Sequence, residues 1–242
     1  MKSERKYRGF SLTEVLLAVG TFGIGMIFIA GVFPVAIHFT TIATERTKAA
    51  VVADEAFAKI KIYDVNLADP NLIYNQLTPF ESVALNPINY NEFAYPSTDT
   101  GIMQKHYYWS ALCRRVDVSN VQVTVFVSRK VGSGTIYVGG QNWPVLVPVS
   151  VSGVFGNREL TIQNSDEKTF INDGYTIVDN ETGDIYRVRE RFADTPEIIE
   201  LDRPLQGDPL GSVWLGWVWV VPPPIGGGRY PCIAIYQKVI RF

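Results

Sequence analysis

Residues 10–37 read FSLTEVLLAVGTFGIGMIFIAGVFPVAI, and this stretch decides the architecture. From Val15 to Ile37 no side chain is ionisable. At about 1.5 Å per residue such a helix spans roughly 35 Å, enough for a hydrocarbon core of about 30 Å. A secretory signal has an apolar region of only about 7–15 residues closed by a small-residue cleavage site, and this run is too long for that. The preceding Met1–Gly9 carries Lys2, Arg5, Lys6 and Arg8 against Glu4. A positive flank stays in the cytoplasm, which puts the chain after about Thr44 on the far side of the membrane.

Composition bounds the remainder. At 242 residues, 47% hydrophobic and 12% aromatic, the chain has material for one large or two small packed domains. Its 20 Gly and 14 Pro supply turns for many short strands, which argues against a purely helical protein. A net charge of -2 gives no global field for nucleic acid, so no such partner is expected. Two cysteines, Cys113 and Cys232, and two histidines, His38 and His106, are too few for a Cys and His zinc site, and no cofactor is expected. Cys113 and Cys232 form a candidate disulfide if the folded part is outside the cytoplasm, although the sequence gives no distance between them.

Glu14 is the only charged side chain from Phe10 to Thr44. A carboxylate costs about 2.5–3.5 kcal/mol at the centre of a membrane helix and less near an end, and such residues usually have a partner. On the residues alone, a carboxylate snorkelling at the headgroups stays open. The context is Arg8-Gly9-Phe10-Ser11-Leu12-Thr13-Glu14-Val15-Leu16-Leu17-Ala18. It combines a short basic leader ending in Gly, a following Phe, a Glu at the fifth residue after that Gly, and an uninterrupted apolar helix. In these features the chain resembles type IV prepilins and the minor pseudopilins of type II secretion.

The resemblance implies that a prepilin peptidase cuts between Gly9 and Phe10 and methylates the new amino group of Phe10. It also implies that Glu14 faces the N-terminal amine of a neighbouring subunit in a filament. Two lone charges in lipid are each costly, whereas a close pair in low dielectric largely compensates, so the pairing favours one register. Gly9, lacking Cβ, lets a protease approach the backbone closely. Gly20, Gly23, Gly25 and Gly31 thin helix faces for close packing, or are ordinary membrane-helix glycines. Pro34 removes a backbone donor and should kink or loosen the helix near Ala30.

From Glu45 the helix becomes amphipathic, with Ala49, Val52, Ala53, Ala56, Ile60 and Tyr63 on one stripe and charges opposite. That stripe should pack on a sheet, and Asp69-Pro70 is the expected stop. Residues 66–104, rich in Asn and Pro, read as a long surface connection. Strands follow at Tyr107–Val116 and around Val121–Val127, whose alternating valines mark a buried face. A third, around Trp143–Phe155, contains Pro144 and Pro148 and so belongs at a sheet edge.

Six further strands are predicted at Arg158–Gln163, Tyr175–Asp179, Asp184–Phe192, Ile198–Leu201, Val213–Val221 and Ile233–Arg241. The reading is therefore an α+β chain with a long N-terminal membrane-spanning helix packed on an antiparallel sheet, pilin-like, followed by a small all-β module. Its divisions are a leader at 1–9, the helix at 10–65 (transmembrane to about residue 41, amphipathic after), the loop and sheet at 66–156, and the β-module at 157–242.

Within the module, Asn180-Glu181-Thr182-Gly183 is a hairpin turn with Gly where a positive φ is needed. Asp179 and Asp184 beside it could hold calcium, but their spacing fails the EF-hand pattern and a plain turn is the simpler account. Arg187, Arg189 and Arg191 alternate along one strand, as an anion contact or, more simply, a solvated face. Trp214, Trp217 and Trp219 make a strand apolar on both faces, which is central, at an interface, or an aromatic platform for sugar. Gly226-Gly227-Gly228 lacks the strand-to-helix setting of a phosphate loop, and no nucleophile motif surrounds any Ser, His or Asp.

The sequence thus points away from an enzyme and toward a structural subunit: a minor pilin or pseudopilin-like protein, single-pass in the inner membrane with a cytoplasmic N-terminus and a periplasmic or extracellular head. Its partners would be prepilin peptidase, other pilin or pseudopilin subunits and an inner-membrane assembly platform. The alternative is a ligand-binding or adhesive extracytoplasmic β-domain on a membrane anchor.

Overall fold

Helix α1 occupies Leu12–Tyr63 in a computed structural model that describes residues 10–97, 105–132, 134–207 and 210–242. The leader 1–9, with the Gly9 side of the expected cleavage, lies outside the described residues. The chain divides into two compact units, Met1–Thr47 and Lys48–Phe242.

The first unit is described as helix from Leu12 onward, long and apolar enough to cross a membrane by length and composition. Its large side chains, among them Leu16, Phe22, Ile27 and Phe33, are exposed within this chain. The hydroxyls of Thr21, Thr40, Thr41 and Thr47 donate to carbonyls one turn back, so they add no unsatisfied polar group to this apolar helix. The helix runs through Pro34 without interruption.

In the second unit α1 buries Ala49, Val52, Ala53, Ala56, Phe57 and Ile60, the expected stripe with Phe57 added. It stops earlier than the Asp69-Pro70 expectation. Asp64 adopts φ 61, its N–H donates to Ile60 O at 3.0 Å, and the Asn86 side chain donates to Tyr63 O at 3.1 Å. A left-handed residue with capped carbonyls ends the helix before the proline is reached.

The helix packs on an antiparallel sheet built from β1 (Thr78–Pro79), β2 (Ala94–Tyr95), β3 (Tyr107–Arg115) and β4 (Asn120–Arg129), with α2 (Phe80–Val83) between the first two. Val121, Val123, Val125 and Val127 of β4 are fully buried on the helix side with Trp109, Ala111 and Cys113 of β3. Each such valine contributes roughly 1.5–3 kcal/mol. Residues 66–97 are more than the expected surface connection, since Leu72, Leu77, Phe80 and Val83 are buried in the two neighbouring cores. These plugs have no period and so left no strand or helix signature. Residues 98–104 of that segment lie outside the described residues.

The remaining strands are β5 (Val147–Val154), β6 (Glu159–Ile162), β7 (Thr176–Asp179), β8 (Ile185–Arg191), β9 (Ile198–Leu201), β10 (Val213–Val220) and β11 (Cys232–Arg241). Six of them close a barrel in the order β10-β5-β6-β9-β8-β7, while the last returns to pair with β4. Two expectations are therefore corrected. β5 is a barrel strand, not the third strand of the first sheet, and β11 completes that sheet instead of belonging to the β-module. A closed six-stranded barrel is also not a pilin-like sheet. Pro148 is accommodated because it faces Trp219 of β10 at the end of β5, beyond the Val151–Gly153 stretch that pairs with β6.

The barrel interior is filled by Val149, Val151, Leu160, Tyr186, Val188, Ile199, Trp214 and Val218, alternating with outward residues. Gly216 is required there, since a Cβ would lie 2.4 Å from the Trp214 ring. A third cluster, with Leu112, Phe126, Val178, Trp219 and Val221, joins barrel to sheet.

Candidate functional site

The helix N-terminus shows an arrangement that the family resemblance does not supply. Ser11 N–H donates to Glu14 Oε2 at 3.1 Å, and Glu14 N–H donates to Ser11 Oγ at 3.2 Å. This reciprocal pair is a capping box, which satisfies two of the backbone donors a helix start leaves open. The Ser11-x-x-Glu14 spacing directly ahead of an apolar run is the sequence signal for it, beyond the prepilin-like features of the same stretch. Glu14 therefore has an intrachain partner, and its second oxygen makes no hydrogen bond among the described residues. Phe10, just before the box, is 88% exposed.

The other sequence-derived candidates lie in the second unit. Asp179 does not point to calcium: Oδ1 accepts from Glu181 N–H at 3.2 Å and Oδ2 from Thr182 N–H at 3.1 Å. It braces the Asn180–Gly183 turn, in which Gly183 has φ 75. Asp184 instead approaches Arg203 at 3.7 Å. Among the described residues no group of three or more His, Cys, Asp or Glu could hold a metal ion. The same turn docks the barrel on the sheet. Arg114 Nη1 of β3 donates to Glu181 O at 2.7 Å and Gln237 Nε2 of β11 to Gly183 O, while within the barrel Trp219 Nε1 donates to Asn180 Oδ1 at 2.7 Å.

The three arginines do not act together. Arg189 pairs with Glu200 at 3.2 Å, Arg191 donates to Asn172 Oδ1 and Pro196 O, and a bulge between Val188 and Glu190 breaks their alternation. The tryptophans are likewise separated: Trp214 fills the barrel, Trp219 packs toward the sheet, and Trp217 stays 50% exposed on the barrel surface. They form no common platform.

Cys113 and Cys232 are both free and buried. Cys113 lies opposite Val123 and Cys232 opposite Ser128, so about five residues along β4 and two strand spacings separate them, roughly 17 Å by 10 Å, with the thiols in different core clusters. A disulfide needs Cα atoms within about 7 Å, which rules out the candidate pairing. Burial pushes the Cys232 thiol up to about 12 and raises that of Cys113 as well. An unfolded thiol titrates near 8.5. The stabilisation from neutral buried thiols is thus complete below that pH and is lost as pH rises through the folded value. Cys232→Ala is expected to flatten the alkaline limb of the thermal midpoint between about pH 8 and 11, while reductant shifts nothing. A midpoint that falls with reductant would contradict the register.

One further feature belongs to the second unit: a cleft of about 550 Å³ lined by β3, the Tyr90–Phe93 turn and the segment leading into β5. No family model matches this chain, and neither a curated protein nor a solved structure does.

Proposed function

We propose that this chain is a minor pilin or pseudopilin-like structural subunit of a type IV pilus or type II secretion filament. It is processed by prepilin peptidase between Gly9 and Phe10, held in the inner membrane by α1, and assembled through that helix. The reading assigns it no catalysis. The observation that carries it is the conjunction at the helix start: Gly9-Phe10, then Glu14 as the only charge ahead of an apolar span, on a helix that continues as the sheet-packing element of the head. The partners under this reading are the peptidase, sister subunits and an inner-membrane assembly platform.

Mass spectrometry of the N-terminus of the membrane-bound protein from its own cells tests it. N-methylated Phe10 is the expected result. An intact Met1 in cells that hold the peptidase would reduce the motif to coincidence. In that case a membrane-anchored ligand-binding or adhesive β-domain is the better account, and the cleft in the head is the observation that favours this second reading.

A further inference from the structure

We infer that the cleft between β3, the Tyr90–Phe93 turn and the segment at Gln141–Leu146 is a binding site for a neutral oligosaccharide. The inference deepens the second reading above and stands whether or not the subunit enters a filament. The cleft volume, about 550 Å³, lies within the range of small-ligand sites.

Both walls are held in place before any ligand arrives. On one side Glu92 O accepts from Trp109 Nε1 at 2.9 Å and from Lys59 Nζ at 2.8 Å, and Asn89 caps the turn by accepting from Asn91 N–H at 3.0 Å. Phe93 packs on Trp109 at 4.7 Å beneath. On the other, Tyr137 N–H donates to Gln141 O at 2.7 Å, and its buried hydroxyl accepts from Val131 N–H at 2.8 Å. These contacts fix Tyr90 and Asn91 on one wall and Gln141, Asn142 and Trp143 on the other. Such a site needs little ordering on binding.

The lining selects the ligand class. Tyr90 is 70% exposed, and its ring centroid lies 6.4 Å from that of the half-buried Trp143, so an aromatic pair lines the cleft. Asn91, Gln141 and Asn142 present amides between them, and none of the three uses its side chain in a hydrogen bond among the described residues. The lining holds one cation, Lys105, which donates to Ser97 O at 3.2 Å, and one carboxyl, Glu81, so it carries no excess of either sign. A phosphate or polyanion would want more free cations. An acyl chain would leave the amides unpaired. A pyranose ring offers what this lining lacks: C–H groups on its face to cover aromatic rings, and hydroxyls at its edge to pair with planar amides. A proline-rich peptide also stacks on aromatics, but its groove requires few side-chain amides.

The experiment uses full-length protein in lauryldimethylamine oxide, since glycoside detergents would compete. Maltotriose, cellotriose and tri-N-acetylchitotriose are titrated separately into the parent and into Tyr90→Ala, Trp143→Ala and Trp217→Ala, with circular dichroism confirming that each variant is folded. Saturable binding of at least one sugar is expected in or above the millimolar affinity range. It should weaken tenfold or more in Tyr90→Ala and Trp143→Ala and stay unchanged in Trp217→Ala, whose ring lies outside the cleft. If no sugar saturates, or if Trp217→Ala alone abolishes binding, the proposal is overturned. Saturable, Trp143-dependent binding of a decaproline peptide with no sugar response would overturn the saccharide and leave the ligand-binding reading standing.

Discussion

Glu14→Ala and Glu14→Gln are both expected to reach the membrane and both to disappear from purified filaments. The pair of variants separates the role the structure shows for this side chain, a bond to Ser11, from the cross-subunit pairing proposed above. Within the chain, Glu14 Oε2 accepts from Ser11 N–H, and glutamine retains an oxygen able to do so. Losing that one hydrogen bond costs about 0.5–1.5 kcal/mol, since the Ser11 hydroxyl still caps the Glu14 N–H. Across subunits the proposed partner is the Phe10 amine, which needs the charge. Removing one member of a buried ion pair costs about 3–5 kcal/mol, and at about 1.4 kcal/mol per tenfold this corresponds to a fall in incorporation of more than about a hundredfold. Quantitative immunoblotting of filaments against membranes gives the ratio. Glu14→Gln at the parental level would mean that only the cap matters, and the cross-subunit pairing would be abandoned.

Trp219→Ala is expected to destabilise the head by about 3–5 kcal/mol, the cost of emptying a buried indole site. Trp219 is 8% exposed, packs between barrel and sheet with Phe126 and Val221, and donates to Asn180 Oδ1. Trp219→Phe keeps most of the volume and loses the donor, leaving a buried amide oxygen unmatched at about 1–3 kcal/mol. Urea unfolding of the full chain in detergent, followed by far-ultraviolet circular dichroism, should rank parent above Phe above Ala. A Trp219→Ala variant within about 1 kcal/mol of the parent would show that the joint contributes little.

Strand positions were legible because period-two alternation survives in the side chains: β9 is predicted and found at Ile198–Leu201, and β4 buries its four valines on one face. Partner choice was not, because alternation marks a face without naming the strand that lies alongside. Hence β5 was assigned to the wrong sheet and β11 to the wrong module. Trp217 and Trp219 share the outer face of β10, and only the sheet that covers Trp219 distinguishes them. The expected helix, 10–65, ends within two residues of Tyr63, but its stop is the left-handed Asp64 and not Asp69-Pro70, because such an aspartate carries no strong signal beside a visible proline. At the helix start, Gly9, Phe10 and Glu14 read together at short spacing, and Ser11 was available in the same four residues. The cleft was out of reach of any spacing argument, since Tyr90, Lys105, Tyr108 and Trp143 come from separate segments.

The pairing of β11 with β4 sets an order of events during synthesis. Phe126 and Ile235 face each other although they are made roughly a hundred residues apart, a long-range contact of the kind that slows folding. Every barrel strand emerges from the ribosome in that interval, so the barrel has all its parts before the sheet has its last. Chain exit and return also meet at one point, where Arg129 N–H donates to Pro231 O at 2.9 Å. The barrel is thus a cassette spliced into the sheet at a single seam. Trimming the chain from its C-terminus removes the sheet's closing strand first and leaves most of the barrel behind.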